Sequence, residues 1–585
     1  MMRTFLPCWL EGFWKSLNVR FLLLFGLSIA NLLFMHYQLA LTVEFEYPFK
    51  LDALMSNVLA CMLDVSFFFL LGMLILVGRV KQSLLFTFVC TMLLSFCNVL
   101  YSRFFAHYIP NLALTQVGNL NDGEMTRCIW AGFKAVDLCY VLMALLFGWL
   151  YCRFDRKVLK AGYLKTLGFV WGVLLTVIAA FIVVLWLFRD PSFEISYTRF
   201  SPIRVQFNQA PNNMLFRSGF VRRAIVCHED LFRRNMVLDK AQVAEIEQAY
   251  TDYSERTTAS TIGTAKPNLI FIIVESYLSQ TSDLKVDGKE ITPFLNRLKR
   301  DSTVYYNGQM QPNINIGESS DGQFIYMTGV LPLKSEITVN VMKGKTAPGL
   351  PKVLKAQHLI SHSHAIVPTS PTFWEQDAMC EIYGIERLYS KFDAGAALQG
   401  NKDLTDEQIF QMASRVDCQA QSPFFSLILT MSMHNPYDKC VEHDFTLTDE
   451  TLTPEYRNYL IDCHYFDMQI EKYINALKQH GVYDNSIIVI TADHHAHPSL
   501  LQMDESSVSN QLPLYIINGG FSKSQVWTGP CNQLDVYTTL LDMYGIRTPW
   551  RGFGHTLLNP DYKNSVTEKV QTLSDWMIWS DYFGR

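Results

Sequence analysis

The sequence predicts a multi-pass α-helical membrane domain followed by an α/β domain whose mostly parallel sheet is covered by helices. Five long apolar stretches occupy the first third of the chain. Beyond them, short apolar runs alternate with helical segments, and polar residues follow several of these runs. These observations predict a five-span transmembrane domain at 1–190, a juxtamembrane helical connector at 191–265 and an α/β domain at 266–585.

Composition excludes several classes of protein. The chain has 585 residues, of which 49% are hydrophobic and 18% are charged, and its net charge is -5. This content excludes a disordered chain or a small disulfide-stapled domain. Because Asp+Glu (54) outnumber Lys+Arg (49), we expect no nucleic-acid partner. The oligomeric state is not readable from the sequence.

The five apolar stretches are each close to the ~20 residues that a helix needs to cross a bilayer. They lie at about 21–43, 54–78, 83–101, 135–151 and 167–188. Asp64, inside the second stretch, is costly in lipid, and we expect it to pack against a neighbouring helix rather than to mark a polar path.

The charges of the connecting loops predict the orientation. Basic residues concentrate before the first span, between the second and third spans, and between the fourth and fifth spans; they are Arg3, Lys15, Arg20, Arg79, Lys81, Arg153, Arg156, Lys157, Lys160 and Lys165. The positive-inside rule therefore places the N-terminus in the cytoplasm. Five crossings would leave the rest of the chain on the outer side of the cell (plasma) membrane, in the periplasm or the extracellular space.

From Pro267 onward the pattern becomes that of an α/β domain. Continuous apolar runs are typical of strands buried on both faces of a parallel sheet, and they occur at 268–274, 424–429, 486–491 and 512–517. Helical segments lie between or after them at 294–300, 455–480 and 534–544. In such sheets, ligands bind at the carboxyl ends of the strands.

Polar residues follow three of these strands. Glu275 ends the first, His434 follows the second, and Asp493-His494 follows the third. A separate turn carries Ser319 two residues after Gly317. Asp, Glu and His suit a divalent ion, and a serine hydroxyl needs a base or a metal to become nucleophilic. We therefore predict one ion bound by Glu275, Asp493, His494 and Ser319, with Ser319 as the nucleophile. We interpret His495 and His497 as loop residues.

The chain resembles the lipoteichoic acid synthase family, membrane-bound phosphoglycerol transferases of the alkaline-phosphatase/sulfatase superfamily. The resemblance covers essentially the whole chain, and it is specific because the motifs occur together and in order. Besides the five spans, they are Val274-Glu275-Ser276, Gly317-Glu318-Ser319-Ser320-Asp321, Phe373-Trp374, His434-Asn435-Pro436-Tyr437 and Asp493-His494.

By position, the resemblance implies metal ligands at Glu275, Asp493 and His494 and a catalytic residue at Ser319. It also implies substrate contacts at Trp374 and His434. We name His364 as a further substrate-binding candidate. The implied cofactor is one divalent ion, Mn²⁺ first, with Mg²⁺ or Zn²⁺ as alternatives.

Three residues depart from the family pattern. Ser319 replaces the usual threonine and preserves the chemistry. Glu318 stands where the family usually has lysine, and Gln376 stands where it has arginine. The missing arginine puts the donor headgroup in question more than the reaction.

The resemblance implies transfer of phosphoglycerol from phosphatidylglycerol, through a phospho-serine, to a hydroxyl on a glycan, lipid or polymer acceptor. Two alternatives stay open at this point. One is a phosphoethanolamine transferase, and the other is a non-catalytic membrane protein that binds lipid headgroups.

Overall fold

A computed structural model describes the chain at residues 19–41, 50–76, 79–105, 107–113, 130, 132–154, 210–227, 236–254, 260–263, 265–394, 403–435, 437, 444–498, 500–521 and 526–584. The predicted fifth span at 167–188 lies outside the described residues. The chain divides into two compact units. One comprises Met1–Asn111 and Gly132–Phe232, and the other comprises Leu112–Ala131 and Arg233–Arg585.

The first unit is helical. Its helices are α1 (Val19–Leu39), α2 (Leu51–Ile75), α3 (Val80–Phe105), α4 (Leu138–Cys152) and α5 (Pro211–Val226). The first four, with the 3-10 turn Ala135–Asp137 in front of α4, are long and apolar enough to cross a membrane. They correspond to the first four predicted spans.

Asp64 of α2 fixes α5 in place. Its carboxylate is 1% exposed and accepts the backbone N–H groups of Phe220 and Val221, at 2.8 and 2.9 Å. Those groups are available because α5 is broken at Gly219, whose φ is 81°. A Cβ on Gly219 would lie 2.7 Å from Asp64 Oδ2, so the contact requires glycine. The buried carboxylate thus holds two neighbouring helices together.

The second unit is an α/β domain that contains α6 (Lys240–Ser254) and the elements after it. Its strands are β1 (Asn268–Val274), β2 (Lys285–Val286), β3 (Lys289–Glu290), β4 (Tyr305–Gln311), β5 (His362–Ile366), β6 (Arg387–Tyr389), β7 (Phe424–Leu429), β8 (Ser486–Ala492), β9 (Leu512–Ile517) and β10 (Cys531–Asn532). Its further helices are α7 (Pro293–Arg300), α8 (Ser319–Thr328), α9 (Thr338–Met342), α10 (Leu350–Ala356), α11 (Gln376–Tyr383), α12 (Asp406–Asp417), α13 (Pro454–Gln479), α14 (Leu534–Met543) and α15 (Glu568–Ser580).

Eight of these strands form one sheet in the order β10-β4-β9-β8-β1-β7-β5-β6. Strand β9 runs antiparallel to β4 and β8, and the other neighbouring pairs are parallel. Strands β2 and β3 form a separate antiparallel pair. The predicted fold class, membrane helices followed by a mostly parallel sheet covered by helices, is confirmed.

The register of the central strands determines where the polar residues meet. All seven residues of β1 are buried, as a strand covered on both faces requires. Within the sheet, β1 lies between β7 and β8. Val274 at the end of β1 pairs with Ala492 at the end of β8. The next residues along the two chains, Glu275 and Asp493, therefore leave the sheet side by side.

Candidate active site and metal centre

The nucleophile candidate begins a helix. Ser319 is the first residue of α8, so the partial positive charge at the helix N-terminus favours an anionic oxygen there. The preceding residue, Glu318, has a φ of 45° and a ψ of -120°. A non-glycine residue in that region costs of order 1–3 kcal/mol and is typical of functional turns.

Asp321 holds this turn together. Its Oδ2 accepts the backbone N–H groups of Asn315 and Gly317, both at 3.0 Å. A Cβ on Gly317 would lie 2.2 Å from Asp321 Oδ1, so only glycine fits at that position. Asp321 therefore fixes the backbone of the turn that leads into Ser319.

Four predicted residues meet in one cluster. Ser319 Oγ lies 3.2 Å from Glu275 Oε2 and 3.2 Å from His494 Nε2. His494 Nε2 in turn lies 3.5 Å from Glu275 Oε1 and 3.6 Å from Asp493 Oδ2. Three of the side chains are buried, and that of Ser319 is half-buried.

Backbone and hydroxyl groups hold the two carboxylates. Ser276 donates its N–H to Asp493 Oδ1 at 2.9 Å and its hydroxyl to Glu275 Oε1 at 2.7 Å. The hydroxyl of Thr430 accepts the N–H of Glu275 at 3.1 Å. Ser276 after β1 and Thr430 after β7 thus orient the acids. The sequence analysis named Ser276 only as part of a motif and assigned neither residue to the site.

The two acids and the imidazole of the cluster shift one another's pKa values. Burial raises the pKa of Asp493 to about 8, and the neighbouring Glu275 adds to the increase. Burial also acts to raise the pKa of Glu275, but the hydrogen bond and charge of His494 outweigh it, so that pKa lies below its usual range. Burial lowers the pKa of His494, and the Asp493 and Glu275 carboxylates more than reverse this. Two buried acids beside one imidazole repel each other, and a bound cation would relieve that repulsion.

The donor set fits one divalent ion. Ligand atoms of Glu275, Asp493 and His494 lie within 4.8 Å of one another. Around a tetrahedral ion with bonds of about 2.0–2.2 Å, ligand atoms are about 3.3–3.6 Å apart, which matches the distances in the cluster. His494 Nδ1 donates to the carbonyl of His495 at 2.9 Å, which directs the Nε2 lone pair at Ser319 and the carboxylates. Oxygen and imidazole donors suit Mn²⁺, Mg²⁺ or Zn²⁺.

Glu318 and His497 form a second group beside the first. Glu318 Oε2 lies 3.3 Å from His497 Nε2 and 3.8 Å from His494 Nδ1. The three side chains offer ligand atoms within 4.8 Å of one another, but Nδ1 of His494 already donates to a carbonyl. His497 was interpreted from the sequence as a loop residue, and the structure pairs it with a buried carboxylate.

The cavity next to Ser319 also contains two of the predicted substrate residues. Trp374 and His434 line it, together with Gln376 and Gln323. His434 Nδ1 donates to the carbonyl of Asn435 at 2.6 Å, which fixes the orientation of the ring at the cavity. Trp374 lies in the 3-10 turn Phe373–Glu375, after the end of β5.

His364 lies elsewhere. It is inside β5 rather than beyond its carboxyl end, and it lines a separate cavity of about 480 Å³ with Arg387 and Arg415. Its Nε2 lies 2.6 Å from Asp417 Oδ1. The structure therefore does not bring the third predicted substrate residue to Ser319, because a residue within a strand cannot reach the edge where the loops begin.

Comparison with known proteins gives a consistent result. Residues 267–546 match the family model described as Sulfatase. The lipoteichoic acid synthase of Staphylococcus saprophyticus is 24% identical over 575 residues, which cover 94% of this chain and 86% of that protein. The lipoteichoic acid synthase of Staphylococcus aureus (strain bovine RF122) is 26% identical over 560 residues, which cover 89% and 82% of the two chains.

One solved structure is similar over both units. The lipooligosaccharide phosphoethanolamine transferase A of Neisseria meningitidis, an integral membrane protein, matches with a TM-score of 0.50 and 15% identity. The match covers 89% of this chain and 95% of that one. At this identity the likeness concerns the fold, in which membrane helices precede an α/β domain.

Proposed function

We propose that this chain, which is similar to lipoteichoic acid synthases and matches the Sulfatase family model over residues 267–546, transfers a phospholipid headgroup to a hydroxyl acceptor. The donor is phosphatidylglycerol, and the transferred group is phosphoglycerol. The acceptor is a hydroxyl on a glycan, lipid or polymer. The observation that carries the proposal is the position of Ser319 Oγ, 3.2 Å from both Glu275 Oε2 and His494 Nε2.

Four side chains hold the cofactor in this proposal: Glu275, Asp493, His494 and Ser319. A bound divalent ion, Mn²⁺ with Mg²⁺ or Zn²⁺ as alternatives, lowers the pKa of a coordinated hydroxyl and offsets negative charge on phosphoryl oxygens.

Ser319 Oγ attacks the phosphorus of the donor. The new O–P bond forms as the bond from phosphorus to the diacylglycerol oxygen breaks, and His434 gives that oxygen a proton. Diacylglycerol remains in the bilayer, and phosphoglycerol remains as an ester on Ser319. The helix N-terminus at α8 stabilises the anionic serine oxygen before attack.

The second half of the reaction regenerates the enzyme. The acceptor hydroxyl attacks the same phosphorus while His434 takes its proton. The bond between phosphorus and Ser319 Oγ then breaks, and the product carries the phosphoglycerol. Trp374 supplies an aromatic surface next to the transferred group.

We propose the domain at 266–585 as the catalytic part and place it outside the membrane. The concentration of basic residues in alternate loops supports this orientation. Confinement of enzyme and donor to one membrane surface raises their effective concentration. Protease digestion of intact cells tests the orientation. We expect cleavage within 266–585 without lysis, and complete protection would reverse the proposed topology.

The direct test of the reaction uses the Ser319→Ala variant. Purified full-length protein is incubated with labelled phosphatidylglycerol, and released diacylglycerol is measured. We expect no release from Ser319→Ala and a headgroup adduct on Ser319 in the native protein. Ser320→Ala is the matched control, because the Ser320 hydroxyl donates to the Gly317 carbonyl and does not contact the cluster. Full activity in Ser319→Ala would refute the proposed nucleophile.

A further inference from the structure

Two glutamines form a reciprocal amide pair in the wall of the active-site cavity. Gln323 of α8 donates its side-chain N–H to Gln376 Oε1 at 3.2 Å, and Gln376 of α11 donates to Gln323 Oε1 at 3.0 Å. Gln323 is 1% exposed and Gln376 is 5% exposed. Because each amide fixes the other, the pair presents the cavity with a rigid polar surface.

The pair lies in the wall of the cavity where the donor headgroup would bind. Both glutamines line the same cavity as Ser319, Trp374 and His434. Gln323 follows Ser319 by four residues on α8, so the two side chains project from the same face of the helix, one turn apart. A group attached to the phosphorus under attack by Ser319 therefore enters the space between the amide pair and the aromatic ring of Trp374.

The chemistry of the pair predicts which headgroup it accepts. An amide has two N–H donors and a carbonyl with two lone pairs, and the mutual bonds use one of each. Each amide therefore keeps one N–H donor and one acceptor lone pair, and these uncharged groups lie side by side. A hydroxyl, which both donates and accepts, satisfies both kinds of group. An ammonium group has only donors, and a carboxylate has only acceptors. A charged group placed against the buried neutral amides loses hydration there, and in this proposal the two carboxylates of the same cavity, Glu275 and Asp493, are engaged by the bound ion.

We propose that the Gln323–Gln376 pair determines donor specificity and selects an uncharged, hydroxyl-bearing headgroup over a charged one. The inference rests on the proposed headgroup transfer and adds its selectivity to it. The pair positions the headgroup and takes no part in bond making or breaking.

The experiment compares two donor lipids of equal headgroup length, phosphatidylglycerol and phosphatidylpropanol, which lacks the headgroup hydroxyls. A site built to bind a hydroxyl rejects the analogue without it strongly. We expect the native full-length protein to have a kcat/KM at least about 10-fold higher for phosphatidylglycerol.

The variant is Gln323→Leu/Gln376→Leu. Replacing both amides together avoids the buried, unpaired amide that a single replacement would leave. We expect the preference for phosphatidylglycerol to fall to about one while phosphatidylpropanol turnover persists, since binding of the hydroxyls is what the change removes. A purely structural role of the pair would lower the turnover of both lipids alike and keep their ratio. Gln469→Leu, a buried glutamine of α13 outside the cavity, is the matched control and should keep the native ratio.

A second variant tests the role of charge. Gln376→Glu places a carboxylate in the pair, and we expect the ratio of phosphatidylethanolamine to phosphatidylglycerol turnover to rise. A native protein that prefers phosphatidylethanolamine, or a double variant with an unchanged glycerol-to-propanol ratio, would overturn the inference and leave headgroup transfer standing. A native protein that turns over none of these lipids would overturn the proposed function and this inference with it.

Discussion

Two histidines of the α/β domain are each buried next to carboxylates, and their surroundings differ in one respect. His494 has two carboxylates and a serine hydroxyl around the same nitrogen, at 3.2 to 3.6 Å. His364 has one carboxylate, Asp417, at 2.6 Å. The second carboxylate is what distinguishes them, because two acids beside one imidazole repel each other, and burial together with Glu275 raises the pKa of Asp493.

The Asp417 carboxylate is saturated by hydrogen donors. Besides His364, it accepts the hydroxyl groups of Tyr473 at 2.5 Å and Ser426 at 3.3 Å. Every partner of Asp417 supplies a proton, so the group is complete without a ligand. At His494, by contrast, two carboxylates and a serine hydroxyl lie within 3.6 Å of one nitrogen atom. The same residue types therefore form a closed network in one place and a metal-type site in the other.

The largest expected effect is on catalysis at the His494 cluster. Asp493→Asn should lower headgroup release by about 10³-fold, because a ligand that supplies several kcal/mol of charge stabilisation is lost. The measurement is diacylglycerol release per folded molecule, with folding checked by circular dichroism. Activity within a few-fold of native would contradict the assignment of Asp493 as a ligand.

Substitution of Asp417 in the closed network should instead reduce stability and leave activity unchanged. Asp417→Ala should lower the free energy of unfolding by about 3–5 kcal/mol, because His364 and two hydroxyls lose their buried partner. Denaturation of the purified protein measures this loss. The activity of the molecules that remain folded should not change.

His364→Asn separates the two interpretations of that residue. We expect it to reduce stability and to leave the KM for the donor lipid as it is. An increased KM with native stability would restore the substrate role that the sequence analysis predicted for His364 and would break the comparison drawn above.

Another buried carboxylate, that of Asp467, gives a smaller effect that depends on pH. Burial raises the pKa of Asp467 to about 7, although it accepts the N–H groups of Phe294 and Leu295 at the start of α7. The stability from this group is present below the unfolded value of 3.8 and is lost as the pH rises through 7. Asp467→Asn, which resembles the protonated acid, should gain about 2–4 kcal/mol relative to the native protein between pH 4 and pH 8. A constant difference in unfolding free energy over this range would refute the shift.

The central strands were predictable because burial on both faces leaves a continuous apolar run. The predictions for β1, β7 and β9 match the observed bounds. Strands β4 and β5 were missed, since Tyr305–Gln311 is largely polar and His362–Ile366 is short and contains two histidines. Both strands lie towards the edges of the sheet, where strands are covered less completely and their sequences are therefore less apolar.

The metal-type cluster was predictable for a related reason. Glu275 and Asp493-His494 each follow a strand directly, and parallel register brings strand ends together. The Gln323–Gln376 pair was not predictable. Its members are 53 residues apart on two helices, and their contact depends on how those helices pack. Neither residue carries a local signal, because a glutamine in a helix is most often exposed.

The most direct test of the account is the number of metal ions bound per chain. Full-length protein is treated with a chelator to remove bound metal and is dialysed against Mn²⁺. Its metal content is then measured by elemental mass spectrometry. The account predicts one ion per native chain, loss of that ion in Glu275→Gln, and retention in Asp417→Asn. Binding of the ion with native affinity in Glu275→Gln, or no binding by the native chain, would contradict it.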